Sequence, residues 1–149
     1  MTTSASIFAA RTARSTLKIL KIRASLTPGQ LLKRIIVARA QRRSVHMRLP
    51  LRKAGDYPVA IFSLGVTLDA SGVITSASAA LGSVEPTARR WHELEAQLIG
   101  RPLEPAHAAD MAEKLCDGLR ARDGVEAPGW YRRKVLPSLV RKAVGVLRG

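Results

Sequence analysis

The sequence predicts an α+β fold: a small antiparallel sheet, made of a hairpin plus one or two further strands, covered on one face by three helices. Two strand-like runs, 58–69 and 72–81, are joined by Asp69-Ala70-Ser71-Gly72, residues that favour a tight reversal. Three segments with apolar residues at helical spacing follow. A hairpin followed by helices places those helices against one side of the sheet. The 149 residues suit one compact domain with a modest appendage, and 46% apolar residues suffice to fill its core.

Residues 1–25 form a basic segment expected to be poorly ordered. Met1 to about Ile22 is rich in Ser, Thr, Ala and Arg, with Leu17, Ile19, Leu20 and Ile22 as its apolar residues. Such a segment suits a frayed tail, a weak basic amphipathic helix or, because it is free of acids, an organelle transit peptide. Leu26 to Val37 sets Pro28-Gly29 before a branched apolar run, which reads as turn then strand. A second basic stretch runs from Arg39 to Lys53, where Pro50 argues against a central strand.

The hairpin begins with a run rich in Val, Ile, Leu and Phe. In its second strand Val73, Thr75, Ala77, Ala79 and Leu81 share one face, with Ile74, Ser76, Ser78 and Ala80 on the other. Thr87, after Pro86, is placed as the N-cap of the first helix, whose stripe of Trp91, Leu94, Leu98 and Ile99 ends before a Gly100 C-cap. Pro105 suits the first turn of the second helix, which buries Met111, Leu115 and Leu119 and runs to about Ala121. The last helix is expected from about Trp130 to Leu147. It buries Val135, Leu139, Val140, Ala143, Val144 and Leu147 and shows Arg132, Arg133, Lys134, Arg141 and Lys142 on its other face. Pro137 should kink it or split off its first turn.

The net charge of +14 is unevenly spread. Residues 1–55 hold 13 Lys and Arg and no acid, whereas residues 56–149 hold 12 basic against 11 acidic side chains, so the excess belongs to one segment. The single Cys116 forms no intramolecular disulfide and leaves no thiolate cluster for zinc, which suits a reducing cytoplasm. No apolar run approaches the ~20 residues of a membrane span.

Four short motifs occur in order: Arg52-Lys53-Ala54-Gly55-Asp56-Tyr57-Pro58-Val59-Ala60, Ala80-Leu81-Gly82-Ser83-Val84-Glu85-Pro86-Thr87, Leu98-Ile99-Gly100-Arg101-Pro102-Leu103 and Tyr131-Arg132-Arg133. Together they resemble the FAD-binding medium subunit of molybdenum hydroxylases, the carbon monoxide dehydrogenase and xanthine dehydrogenase family. By this resemblance residues 46–149 are the C-terminal domain of such a subunit. Pro28-Gly29-Gln30-Leu31-Leu32 resembles the closing strand of the preceding flavin domain, which makes 26–45 its remnant. Gly29 is the lone glycine before Gly55, whereas a diphosphate cradle needs several converging backbone N–H groups.

The resemblance therefore implies a truncated homologue, an electron-transfer component of an oxidoreductase complex that holds no FAD by itself. Its partners would be a molybdenum-cofactor large subunit and an iron–sulfur small subunit, with self-association through an uncovered face also expected. By position Leu32 and Arg48 map to the residues against the flavin, Arg48 standing where a Lys is usual. Arg52, Lys53, Asp56 and Tyr57 belong to the same junction.

Each of these residues also has a plainer reading. Arg48, Arg52 and Lys53 suit a solvated basic loop, and Tyr57 and Trp91 suit core positions. His46, His92 and His107 lack metal-ligand spacing and fit the surface. Glu93, Glu95, Asp110, Glu113 and Asp117 fit polar helix faces, and Cys116 fits the core. The rival function is nucleic-acid binding through Arg39, Arg42, Arg43, Arg48, Arg52 and Lys53, although that stretch has no aromatic residue on which a base could stack.

Overall fold

The computed structural model describes residues 27–29, 31, 41–51 and 57–149. The expected N-terminal segment and most of the strand after Pro28-Gly29 lie outside them. Met1–Arg39 and Ala40–Gly149 are separate compact units, and the architecture below is that of the second.

Four antiparallel strands lie in the order β1 (Arg43–Leu49), β2 (Ala60–Leu68), β3 (Ile74–Gly82) and β4 (Arg89–Arg90). The strand before Pro50 is thus an edge strand. The helices are α1 (His92–Leu98), α2 (Pro105–Leu115) and α3 (Gly129–Arg148), with a short 3-10 turn at Cys116–Gly118. One face of the sheet supplies Phe62, Leu64, Val66, Ala79 and Leu81 to the core, against Trp91, Leu94, Leu136, Val140 and Val144 from the helical layer. Phe62 and Trp91 meet edge to face with ring centroids 6.5 Å apart, and the remaining filling is aliphatic.

The hairpin turn is built by Asp69, whose carboxylate accepts hydrogen bonds from the Ser71 and Val73 amides and the Ser71 hydroxyl. These donors, the Ser71 hydroxyl foremost, hold the carboxyl below its usual range. Next to the turn the register steps from Thr67↔Ser76 to Leu68↔Ile74, so Thr75 is the extra residue of a β-bulge. The bulge inverts the alternation: Ile74 is buried on the same side as Ala79 and Leu81, while Thr75 is exposed. The unbroken face expected from Val73 to Leu81 is corrected accordingly.

Thr87 caps no helix. Arg89 and Arg90 pair with Leu81 and Ala80 as β4, and the helix starts only at His92 with Trp91 at the N-cap position. Satisfying the free edge of β3 outweighs an earlier helix start. Ile99 is 47% exposed and falls outside the buried stripe. Gly100 takes φ +80°, as the chain's exit from α1 requires, and its N–H donates to the Ile74 carbonyl at 2.8 Å.

Pro105 occupies the first turn of α2 as expected, but α2 ends at Leu115, and Leu119 is buried from the connection beyond it. Pro137 does not split off a turn, since α3 is continuous from Gly129 to Arg148. Without an N–H, Pro137 leaves the Arg133 carbonyl without its helical donor, and the Cys116 thiol approaches that oxygen at 3.5 Å. Cys116 is buried, and desolvation pushes its pKa up to about 12.

Candidate functional site

Of the site residues expected from sequence, Arg48 and Tyr57 are described, and both lie toward one end of the sheet. Val59 N–H donates to the Leu49 carbonyl at 2.8 Å, which closes β1 against β2. Arg48, exposed near the end of β1, pairs with Ile61 on β2. Tyr57, just ahead of β2, is 73% exposed, which corrects its core reading. Arg48 and Tyr57 therefore lie toward the same end of the β1–β2 pair. Leu32, Arg52, Lys53 and Asp56 lie outside the described residues.

This end is organised by a residue whose charge had placed it in solvent. Arg132, on the first turn of α3, is fully buried. Its guanidinium donates to the carbonyls of Val59 at 2.7 Å, Ser83 at 2.8 Å and Ala127 at 3.2 Å, and to the Glu126 carboxylate at 2.9 Å. One planar group thereby ties the start of β2, the exit of β3 and the segment before α3. Ser83 is held at φ +62°, a strained conformation for a residue with a Cβ.

Glu126 is kept below its usual carboxylate range, chiefly by its own backbone N–H and then by the Arg132 hydrogen bond and the Arg122 charge. Asp123 accepts from the Gly129 amide at 2.7 Å. A side chain at position 129 would strike the Ala121 carbonyl at 2.6 Å, so the start of α3 requires glycine. Beside Arg132, Trp130 is 59% exposed and stands edge to face with Tyr131 at 5.6 Å.

The sequence did carry a signal for Arg132. It lies four residues before Leu136 and seven before Leu139, in phase with the buried stripe of α3, and Leu136 is itself a core residue missing from the expected stripe. Glu95 is a second correction: buried rather than solvated, it follows Trp91 by one helical turn. Its carboxylate accepts from the Ala79 amide at 2.8 Å, pairs with both donor arms of Arg90 and lies 3.1 Å from His92 Nδ1. Trp91 and Cys116 are core residues as expected, and His46, His92 and His107 are at the surface.

Among the described residues no three His, Cys, Asp or Glu side chains gather to hold a metal, and no helix is long and apolar enough to cross a membrane. Nor do backbone amides converge there on a diphosphate: the left-handed glycines Gly29, Gly72 and Gly100 stand in separate turns. The exposed Arg48 and the exposed ring of Tyr57 suit contact with the edge of a flat anionic ring system.

Residues 46–147 match the family model described as CO dehydrogenase flavoprotein C-terminal domain. The glyceraldehyde dehydrogenase medium chain of Sulfolobus acidocaldarius is 31% identical over 93 residues, covering 62% of this chain and 33% of that one. Quinoline 2-oxidoreductase of Pseudomonas putida 86 superposes with a TM-score of 0.64 at 22% identity, over 72% of this chain and 37% of its own. Reconstituted CO dehydrogenase of Oligotropha carboxidovorans gives 0.62 at 26% identity, over 76% and 39%. The chain thus spans between a third and two fifths of the length of these relatives.

Proposed function

The chain belongs to the CO dehydrogenase flavoprotein C-terminal domain family, the C-terminal domain of the FAD-binding medium subunit of molybdenum hydroxylases, and from that premise we propose that it serves as one wall of a flavin site in an electron-transferring oxidoreductase complex. The observation that carries this reading is the Arg132 staple. It fixes the start of β2 against the exit of β3, beside the exposed Arg48 and Tyr57; on this reading Arg52, Lys53 and Asp56 would join them.

A cation there would stabilise negative charge on a reduced flavin ring, and an exposed tyrosine would cover its apolar surface. Leu32 would complete the apolar contact. FAD would supply the redox chemistry. The diphosphate would be gripped by a flavin-bearing domain, and the domain described here would not retain FAD by itself. Iron–sulfur and molybdenum-cofactor subunits are the proposed partners, as in a CO dehydrogenase assembly. Among the described residues nothing favours the nucleic-acid alternative.

The test is to incubate the purified 149-residue chain with FAD and desalt it. The expected product is colourless protein, and a stoichiometric flavin absorbance band would overturn the reading. Presented with a medium subunit deleted of its own C-terminal domain, the chain should restore flavin retention, and Arg48→Ala should weaken that rescue.

A further inference from the structure

We infer that the Ser83 hydroxyl is a hydrogen-bonding contact to the polar edge of the flavin ring, held at the exit of β3 by a strained backbone. The inference rests on the flavin-wall reading and adds one residue to that wall.

Among the described residues Ser83 is the one residue other than glycine at positive φ, at +62°. The conformation is imposed from both sides. Gly82 before it still pairs with Ile61 in the β2–β3 ladder. Val84 after it is fully buried, and its carbonyl accepts the Arg122 N–H at 2.8 Å. The Ser83 carbonyl itself takes the Arg132 guanidinium at 2.8 Å. A glycine would meet these demands without strain, because it adopts positive φ freely. The serine side chain therefore lowers stability, and no internal contact of its hydroxyl offsets the loss: among the described residues that hydroxyl has no hydrogen-bond partner. No buried side-chain oxygen or nitrogen there is left unpaired, so the hydroxyl is open to solvent. Strain of this kind persists only where the surroundings over-determine it, and it gathers at ligand contacts.

The position is the one the flavin reading needs. A single Arg132 nitrogen bridges the Ser83 and Val59 carbonyls, so Ser83 adjoins Val59, which follows Tyr57 by two residues. On the outward face of the sheet Arg48, Ile61 and Gly82 stand side by side on β1, β2 and β3. Gly82 keeps this row low, since a Cβ there would crowd Ile61 Cβ at 3.2 Å. The row spans two strand spacings, roughly 10 Å, with Arg48 at one side and the turn at Ser83 next to the other. A flat ring lying along it would rest on Ile61 and the bare Gly82 and bring its polar edge to Ser83. A hydroxyl both donates and accepts, which suits an edge that alternates carbonyl and N–H groups, as the pyrimidine end of a flavin does.

The test adds the full chain to a medium subunit deleted of its own C-terminal domain and measures FAD affinity and the flavin absorbance band, with the urea midpoint read on the chain alone. Ser83→Ala and Ser83→Gly should each weaken FAD binding about fivefold, the contribution of one hydrogen bond, and shift the band. Ser83→Gly should at the same time raise the urea midpoint, because it relieves the strain. A purely structural role predicts no loss of affinity in that more stable variant. Ser78→Ala, in the middle of β3, should change neither affinity nor band. Undiminished FAD affinity in either Ser83 variant, or an equal loss in Ser78→Ala, overturns this inference and leaves the flavin wall standing. Failure of the wild-type chain to restore FAD retention overturns both.

Discussion

Arg132 and Glu95 are both buried and both fully hydrogen-bonded, yet they join the molecule over different spans. Glu95 acts locally: its partners Arg90, His92 and Ala79 lie within 16 residues of it in sequence. It ends the β3 ladder by occupying the amide that a longer β4 would have taken. Arg132 acts at long range, reaching Val59 across 73 residues and Ser83 across 49. Its donors go mainly to backbone carbonyls, which accept no substitute donor from solvent once buried. The contrast teaches that similar burial produces different dependence: one charge finishes an element, while the other decides where three elements meet.

The largest expected effect tests that contrast directly. Arg132→Met removes the donors while keeping bulk, takes this partner from the Val59, Ser83 and Ala127 carbonyls, and should lower unfolding free energy in urea by about 3–5 kcal/mol. A loss below about 1 kcal/mol would show that the joint holds without its charge. Glu95→Gln keeps an acceptor for Ala79 but weakens the pairing with Arg90, so a loss of about 1–3 kcal/mol is expected by the same measurement. If it matches Arg132→Met, the distinction between local and long-range charge fails.

Acid titration sharpens the Arg132 side. The Glu126 carboxyl sits below its ordinary value of 4.5 when folded, so the stability it contributes is present above that value and is lost as pH falls through the depressed one. Glu126→Gln should lower the neutral plateau toward the level seen in acid and so flatten that limb of the stability curve. An unaltered limb would detach Glu126 from the joint.

The smallest effect concerns an uncharged link. With its pKa raised to about 12, Cys116 should resist iodoacetamide at pH ~8 in the folded protein and react once unfolded. Rapid native alkylation would show that the contact between the Arg133 carbonyl and the thiol opens readily.

The fold was legible where side chains repeat. Phe62, Leu64 and Val66 on β2, the Asp69 turn and the stripe from Leu139 to Leu147 all announce themselves by period and by turn chemistry. What escaped was charge in phase with that period. Arg132 and Glu95 obey the helical spacing of their apolar neighbours, but residue type argued for solvent, and only distant carbonyls or amides justify their burial. The Thr75 bulge escaped for a related reason: its register belongs to the pairing with β2 rather than to β3 alone. For the candidate site, motif order drew attention to the residues before β2, whereas the contact that holds the start of β2 comes from a helix more than 70 residues later.

One further contact bears on how such a domain travels between proteins. Arg43 Nη1 donates to the Leu147 carbonyl at 2.9 Å, tying the first residue of the sheet to the last turn of α3. Entry and exit of the polypeptide are therefore neighbours, and the segment between them can be inserted into, or removed from, a longer chain without stretching what lies on either side. Such adjacency makes the domain a transplantable cassette, suited to gene fusion and circular permutation.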